Sequence, residues 1–323
     1  MYFNKDNNFF HGIMFHHFHD GDFHIKSQGS IDKDDFYKMI NFIGKKNILS
    51  ADIFFEKFKN NKLKDNEVCL TFDDAIKCQT DIALPILEEL KIKGFFFVYT
   101  SIFENDLDLL EVFRYFRTNY FNNIDEFYSN FYKILDKDLK KFFEINNNKI
   151  RILNERHLYN SIEDTKFRFV RDFFLTKDQY KETMLSMFHE KKFNYQDILK
   201  RIFFNNNDLK TLYNLGHSIG LHGHNHYTQM EKLTYDEQKK EYEKCISVIS
   251  KIIDKPKNLI KCMSHPCGSY NDDTLKVLKE IGIELGFKQI MTIEPEKKMK
   301  KINNSFLEIA RQDHAHVQRM IYK

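Results

Sequence analysis

Two short motifs in this chain carry residue types that together do hydrolytic chemistry. Thr71-Phe72-Asp73-Asp74 ends an apolar run, residues 68–72, on two adjacent carboxylates, and far along the chain His222-Gly223-His224-Asn225-His226 gathers three imidazoles. One carboxylate and two imidazoles fill three positions on a divalent metal and leave room for water. The second carboxylate then stays available to take a proton from that water. Metal-assisted hydrolysis is the reaction class these parts imply.

Positioning such groups requires particular elements. Residues 68–72 are Val-Cys-Leu-Thr-Phe, the composition of a buried strand, so the two acids sit at its end. Neighbours on an extended strand point opposite ways, but where the chain turns, one acid can hold the metal while the other faces the water. His222 and His226 lie one helical turn apart, so a helical or turn conformation puts both rings on one side and sends His224 elsewhere.

The remaining pattern alternates strands and helices. Strands are expected at residues 10–15, 68–72, 95–99, 258–263, 287–292 and 307–311, and helices at 32–43, 52–58, 75–91, 207–215, 234–253 and 271–281. Asp32 is the expected cap of the first helix and Gly94 the expected stop of the third. This order argues for a parallel sheet or barrel, with functional residues at the carboxyl ends of the strands. Residues 104–204 break the rhythm. They hold no Gly or Pro, and Phe127, Phe131, Ile134 and Leu135 are spaced for a helix.

In this setting the chain resembles the carbohydrate esterase family 4 (NodB-like) polysaccharide deacetylases. The family's TFDDG reads here as Thr71-Phe72-Asp73-Asp74-Ala75, and its paired histidines match His222 and His226 after Ile219-Gly220-Leu221. Met263-Ser264-His265-Pro266-Cys267-Gly268-Ser269-Tyr270-Asn271 is similar to the third motif, F-A-Y-P-Y-G-x-Y-N, in degenerate form. The resemblance implies an α/β fold, a distorted (β/α)7-type barrel of the NodB homology kind. Residues 1–103 and 205–323 would form the barrel, and residues 104–204 a helical insertion that acts as a lid, an oligomer surface or an inert decoration.

It also implies roles. Asp74, His222 and His226 would be the metal ligands and Asp73 the general base, while the backbone N–H of Cys267 would meet the oxyanion. The common late motif L-x-H, source of the general acid, is absent. In the circularly permuted deacetylases of biofilm poly-N-acetylglucosamine, a His at the end of the first strand takes that role. Phe15-His16 matches that place, with His17 next to it and His314 and His316 as further choices. The family's base-orienting Arg would fall on Ser264, and Arg311, in a segment like the subset's L-P-R, is the expected substitute.

The expected activity is N-deacetylation of an acetamido sugar in cell-surface glycan biosynthesis, capsule or lipopolysaccharide. The substrate would be free, nucleotide-linked or lipid-linked. Zinc is the default metal, and cobalt, nickel, iron or manganese also suit such ligands. Two other readings are a C–N hydrolase acting on a non-sugar amide, imide or formamide, and a non-catalytic metal-containing binding protein. An intact Asp73 argues against the latter, because a site that only binds metal needs no base.

Composition narrows the partners. The 323 residues carry a net charge of +3, which makes no case for nucleic acid. Five cysteines, at 69, 78, 245, 262 and 267, form no C-x-x-C pair and are odd in number, which fits a reducing compartment. Residues 1–8 lack the apolar core of a signal peptide and no run is long enough to span a membrane, so the expected location is the cytoplasm. A homo-oligomer is compatible with the insertion.

Overall fold

The computed structural model describes residues 11–27, 29–104, 107–135, 137–156, 161–290 and 305–322. The expectations placed on residues 1–10 and 291–292 lie outside them. The described residues form two compact units: those lying within 1–26, 30–108 and 203–323, and those lying within 27–29 and 109–202.

The first unit is a closed barrel of seven strands in chain order: β1 (Gly12–Phe15), β2 (Cys69–Asp73), β3 (Phe95–Val98), β4 (Ser218–Leu221), β5 (Cys262–Ser264), β6 (Leu285–Ile290) and β7 (Ile309–Asp313). Every pairing is parallel, and β1 closes on β7 with Gly12 opposite Arg311 and Met14 opposite Asp313. Parallel strands covered by helices are buried on both faces, which is why they read as continuous apolar runs.

Side-chain alternation divides those runs. Leu70, Phe72, Phe96, Val98, Ile219, Leu221 and Met263 face outward and pack in one large core with the surrounding helices. Cys69, Phe95, Phe97, Cys262, Leu285, Phe287 and Ile309 form a second cluster inside the barrel, joined by Ala51 and Phe54. Asp73, Ser264 and Arg311 share the parity of that inner set. Gly12 leaves room for the Arg311 stem, since a Cβ there would come within 2.6 Å of Arg311 Cγ.

Three sequence expectations need correction. Residues 75–91 are not one helix: a π-turn, Gln79–Ala83, precedes the helix Leu84–Glu89. That helix is followed by Lys91 at φ 54, so Gly94 is not its stop but the entry to β3. The strand expected over 258–263 covers only Cys262–Ser264, because Lys257–Leu259 forms a 3-10 turn after Pro256. Asp32 does cap the helix Lys33–Ile43, accepting from the Asp35 N–H.

The second unit contains the helices Leu110–Asn119, Ile124–Leu135, Lys140–Arg156, Ile162–Phe173, Lys177–Glu190 and Leu199–Ile202. Aromatic rings build its core, with Phe116 against Phe188 at 4.6 Å and Phe131 against Phe167 at 5.0 Å between centroids.

Candidate metal centre

The backbone turns sharply where β2 ends. Asp74 and Ala75 both take positive φ, 77° and 51°. A left-handed non-glycine residue costs about 1–2 kcal/mol, so the surroundings must hold the turn. They do so through two bonds: the buried Gln79 amide donates to Asp73 O at 2.6 Å, and Phe204 N–H donates to Ala75 O at 2.9 Å. Gln79 also donates to His16 O at 3.0 Å, which ties the ends of β1 and β2 together. Its place in a π-turn fits the frequent use of such turns at functional sites.

The reversal separates the two carboxylates. Asp74 Oδ1 lies 3.2 Å from His222 Nε2 and 3.1 Å from His226 Nε2. The donor atoms of these three buried residues all fall within 4.8 Å of one another. Residues 222–226 form a turn rather than the helical alternative, with Gly223 at φ 77 and His226 at φ 48. His224 points elsewhere, its Nδ1 2.8 Å from Thr100 Oγ1.

This donor set fits a divalent cation. His222 Nδ1 lies 2.8 Å from Ser264 O, a carbonyl that only accepts, so Nδ1 carries the hydrogen. His222 Nε2 then meets the Asp74 carboxylate either as an imidazolium or as a ligand nitrogen, and each requires positive charge between them. A single divalent ion supplies that charge to both imidazoles at once, through the two-His, one-carboxylate set that suits zinc and its neighbours. Burial opposes the charge of Asp74, but His226, His222 and His16 outweigh it and hold the carboxyl well below its ordinary range.

Asp73 has different company. Both its oxygens accept from Arg311, Nη1 to Oδ1 at 2.7 Å and Nη2 to Oδ2 at 2.7 Å. Arg311 also donates to Thr71 Oγ1 at 3.1 Å and Ser264 Oγ at 2.7 Å, and the Ser264 hydroxyl donates to Asp73 Oδ2 at 3.2 Å. Arg311 is fully buried. Burial raises the Asp73 pKa, but Arg311, His222 and His16 together bring it below the ordinary value.

The histidines near β1 and β7 divide clearly. His16 Nε2 lies 3.9 Å from Asp73 Oδ2 and 3.8 Å from Asp74 Oδ2, and burial lowers its pKa against the pull of the two acids. His17 stacks on His16 at 6.5 Å between centroids. His314 is buried against Phe15 and near Asp313, 3.6 Å from its Oδ1, and His316 lies two residues further along the same helix. Cys267 follows β5 with an exposed side chain and φ 53.

Ser264, Thr71 and Gln79 are the site residues that sequence reasoning did not assign. Thr71 was legible in principle, since it shares the inward parity of Asp73. Ser264 was seen only as the place of a missing Arg, yet its small hydroxyl admits the guanidinium arriving from β7. Gln79 had no sequence signal.

A family model described as polysaccharide deacetylase matches residues 60–115 and 155–286, more than half of the chain. The chain belongs to the polysaccharide deacetylase family. The match is interrupted only inside the segment read as an insertion. Among solved structures, the Streptococcus pyogenes deacetylase PplD in complex with acetate is similar at 16% identity, with 94% of this chain and 90% of that one covered and a TM-score of 0.52. A de-N-acetylase from Aggregatibacter actinomycetemcomitans matches at 12% identity over 96% and 98%, with a TM-score of 0.53. The BpsB deacetylase domain from Bordetella bronchiseptica matches at 12% over 94% and 95%, with a TM-score of 0.50. At these identities the likeness is one of fold. No match is found among curated proteins.

Proposed function

We propose that this polysaccharide deacetylase family member is a metal-dependent N-deacetylase that removes acetate from an acetamido sugar during cell-surface glycan biosynthesis. One observation carries the reading: two adjacent carboxylates are held in opposite roles, Asp74 against His222 and His226, Asp73 against Arg311. A binding site alone has no use for the second.

Asp74, His222 and His226 would hold the ion, with zinc the default and cobalt, nickel, iron or manganese compatible. When bound, the ion supplies Lewis acidity and a water acidic enough to lose its proton near neutral pH. Asp73 takes that proton. Arg311 and Ser264 fix its carboxylate and keep it ionised, so it is ready as a base. The backbone N–H of Cys267 would donate to the oxyanion as the carbonyl becomes tetrahedral. His16 is the proposed donor to the departing amine, with His17 as its neighbour in the same loop. Burial lowers the His16 pKa, so the proton it would deliver is the one Asp73 takes from the water, passed across the 3.9 Å between them.

Among the described residues no two cysteines are joined in a disulfide, and burial drives the thiols of Cys245 and Cys262 up to about 12. This supports a cytoplasmic protein working on a free, nucleotide-linked or lipid-linked sugar. Among the described residues no helix is long and apolar enough to cross a membrane.

The test is a panel of amides offered to the metal-loaded protein, with acetate and formate release measured. Acetate from acetamido sugars, absent after chelation and restored by zinc, is the expected result. Release only from formamides, imides or ureides would move the activity to non-sugar amides. Bound metal without any turnover would make the centre a binding site.

A further inference from the structure

The turn that presents His222 and His226 holds one residue, His226, in a conformation that favours glycine. Gly223 and His226 both take positive φ, 77° and 48°, and for histidine that region is intrinsically disfavoured. Something outside the turn must hold it. Thr100 Oγ1 and Ser101 N–H fasten His224 from one side, at 2.8 Å to its Nδ1 and 2.9 Å to its carbonyl.

The other fastening comes from the helix Tyr235–Ile253. Glu241 is buried on it and turns its carboxylate onto the peptide units between the two histidines. Oε2 accepts from His224 N–H at 3.0 Å and from Asn225 N–H at 2.9 Å, while Oε1 accepts from Asn225 Nδ2 at 2.7 Å. Among the described residues no Lys or Arg lies in ion-pair distance of Glu241. A buried carboxylate is costly unless its lone pairs are satisfied, and here every donor that satisfies it belongs to this one turn.

We propose that Glu241 is the positioning residue of the metal loop: its carboxylate sets the spacing of His222 and His226, and with it the affinity for the metal. It touches neither metal nor substrate. It acts through the two amides whose orientation places His226 within reach of Asp74. The inference rests on the reading of Asp74, His222 and His226 as ligands.

The experiment compares wild type with Glu241→Ala and Glu241→Gln in zinc competition against a chromophoric chelator, beside the visible spectrum of the cobalt-loaded proteins. Loss of groups that orient ligands typically weakens metal binding 10–100-fold. Glu241→Ala is expected to raise the zinc dissociation constant by roughly that factor and to alter the cobalt bands. Glu241→Gln keeps the volume and one accepting oxygen, so it should fold and fall between the two. If the alanine variant does not fold, the glutamine variant decides: zinc affinity and cobalt bands equal to wild type overturn the proposal. Wild type that takes up no divalent metal would instead overturn the ligand assignment on which it rests.

Discussion

Among the described residues, each unit buries an aspartate held by arginine, Asp73 in the barrel and Asp164 in the helical unit, and the two are built for different ends. In the barrel, Arg311 grips both oxygens of Asp73 at 2.7 Å, stacks between Phe97 and Phe287, and still leaves Asp73 Oδ2 within 4.0 Å of His16 and His222. In the helical unit, Asp164 accepts from Tyr128 OH at 2.9 Å and Arg117 Nη1 at 3.3 Å on one oxygen and from Arg168 Nε at 2.6 Å on the other. Those donors join three helices around one carboxylate. Both acids are held below their ordinary pKa against burial, Asp73 chiefly by Arg311 and Asp164 chiefly by Arg168. Burial and the neighbouring Arg168 bring Arg117 down to about 10, with Asp164 opposing. The same ion pair therefore pins an architecture in one place and, in the other, prepares a base that faces titratable neighbours. A low pKa alone does not distinguish them; what else faces the carboxylate does.

The largest effect should come from the base. Asp73→Asn keeps the size and removes the proton acceptor, so activity should drop by roughly 10²–10⁴-fold with metal content intact. Metal loss in this variant would mean that Asp73 and Asp74 have exchanged roles. Normal turnover would make Asp73 a second pin, like Asp164, and the contrast would collapse.

The helical pair should fail in the opposite way. Asp164→Ala leaves Arg117 buried without its counter-ion, a change that costs about 3–5 kcal/mol in comparable sites. Denaturant unfolding should show that loss, while protein that remains folded keeps its metal. A stability change below about 1 kcal/mol would show that the Asp164 carboxylate does not pin the three helices and that their aromatic packing holds them without it.

Much of this contrast was legible in the sequence, though unevenly. The strand carrying Asp73 and Asp74 and the helices around the barrel follow from apolar periodicity, which burial enforces wherever an element has one dry face. The separation of the two acids was legible only as a turn of unknown form. Its cause, positive φ at Asp74 and Ala75 held by Gln79 and Phe204, depends on contacts distant along the chain. Glu241 was invisible for the same reason: among the charged residues of an amphipathic helix, nothing local marks the one that turns inward. Arg311 was named only through a resemblance, because composition cannot tell a buried arginine from an exposed one. The aromatic core around Asp164 was read as helical spacing, and its ion pair was not foreseen.

A smaller effect sharpens the barrel pair. Arg311→Lys keeps the charge but loses the two-pronged grip on Asp73. The base should then lose rate by about tenfold and titrate at higher pH, because the group that holds its carboxyl low is weakened. Since Asp73 works only when ionised, the acid limb of kcat/KM should move upward in pH, with zinc content unchanged. An acid limb that stays in place would assign Arg311 to barrel stability rather than to the base.

The smallest effect tests a buried titratable group, His265, that forms no ion pair among the described residues. His265 is fully buried after β5, its Nε2–H directed at Leu307 O at 2.8 Å and its ring stacked on Tyr270. Burial pushes its pKa down to about 4, whereas the unfolded chain binds the same proton near 6.5. Between those values the unfolded state holds more protons, so the contribution of His265 is complete above about pH 6.5 and shrinks as pH falls toward 4. At pH 5.5 the loss relative to neutral pH should be on the order of 1–2 kcal/mol. Acidic pairs elsewhere also titrate, so wild type must be compared with His265→Gln, which keeps a donor for Leu307 O but carries no proton to gain. The difference in unfolding free energy between the two should narrow from pH 7 to pH 5.5 by that amount. A difference independent of pH would mean that His265 is solvated enough to accept a charge, and that burial alone, without an ion pair, does not set protonation in this barrel.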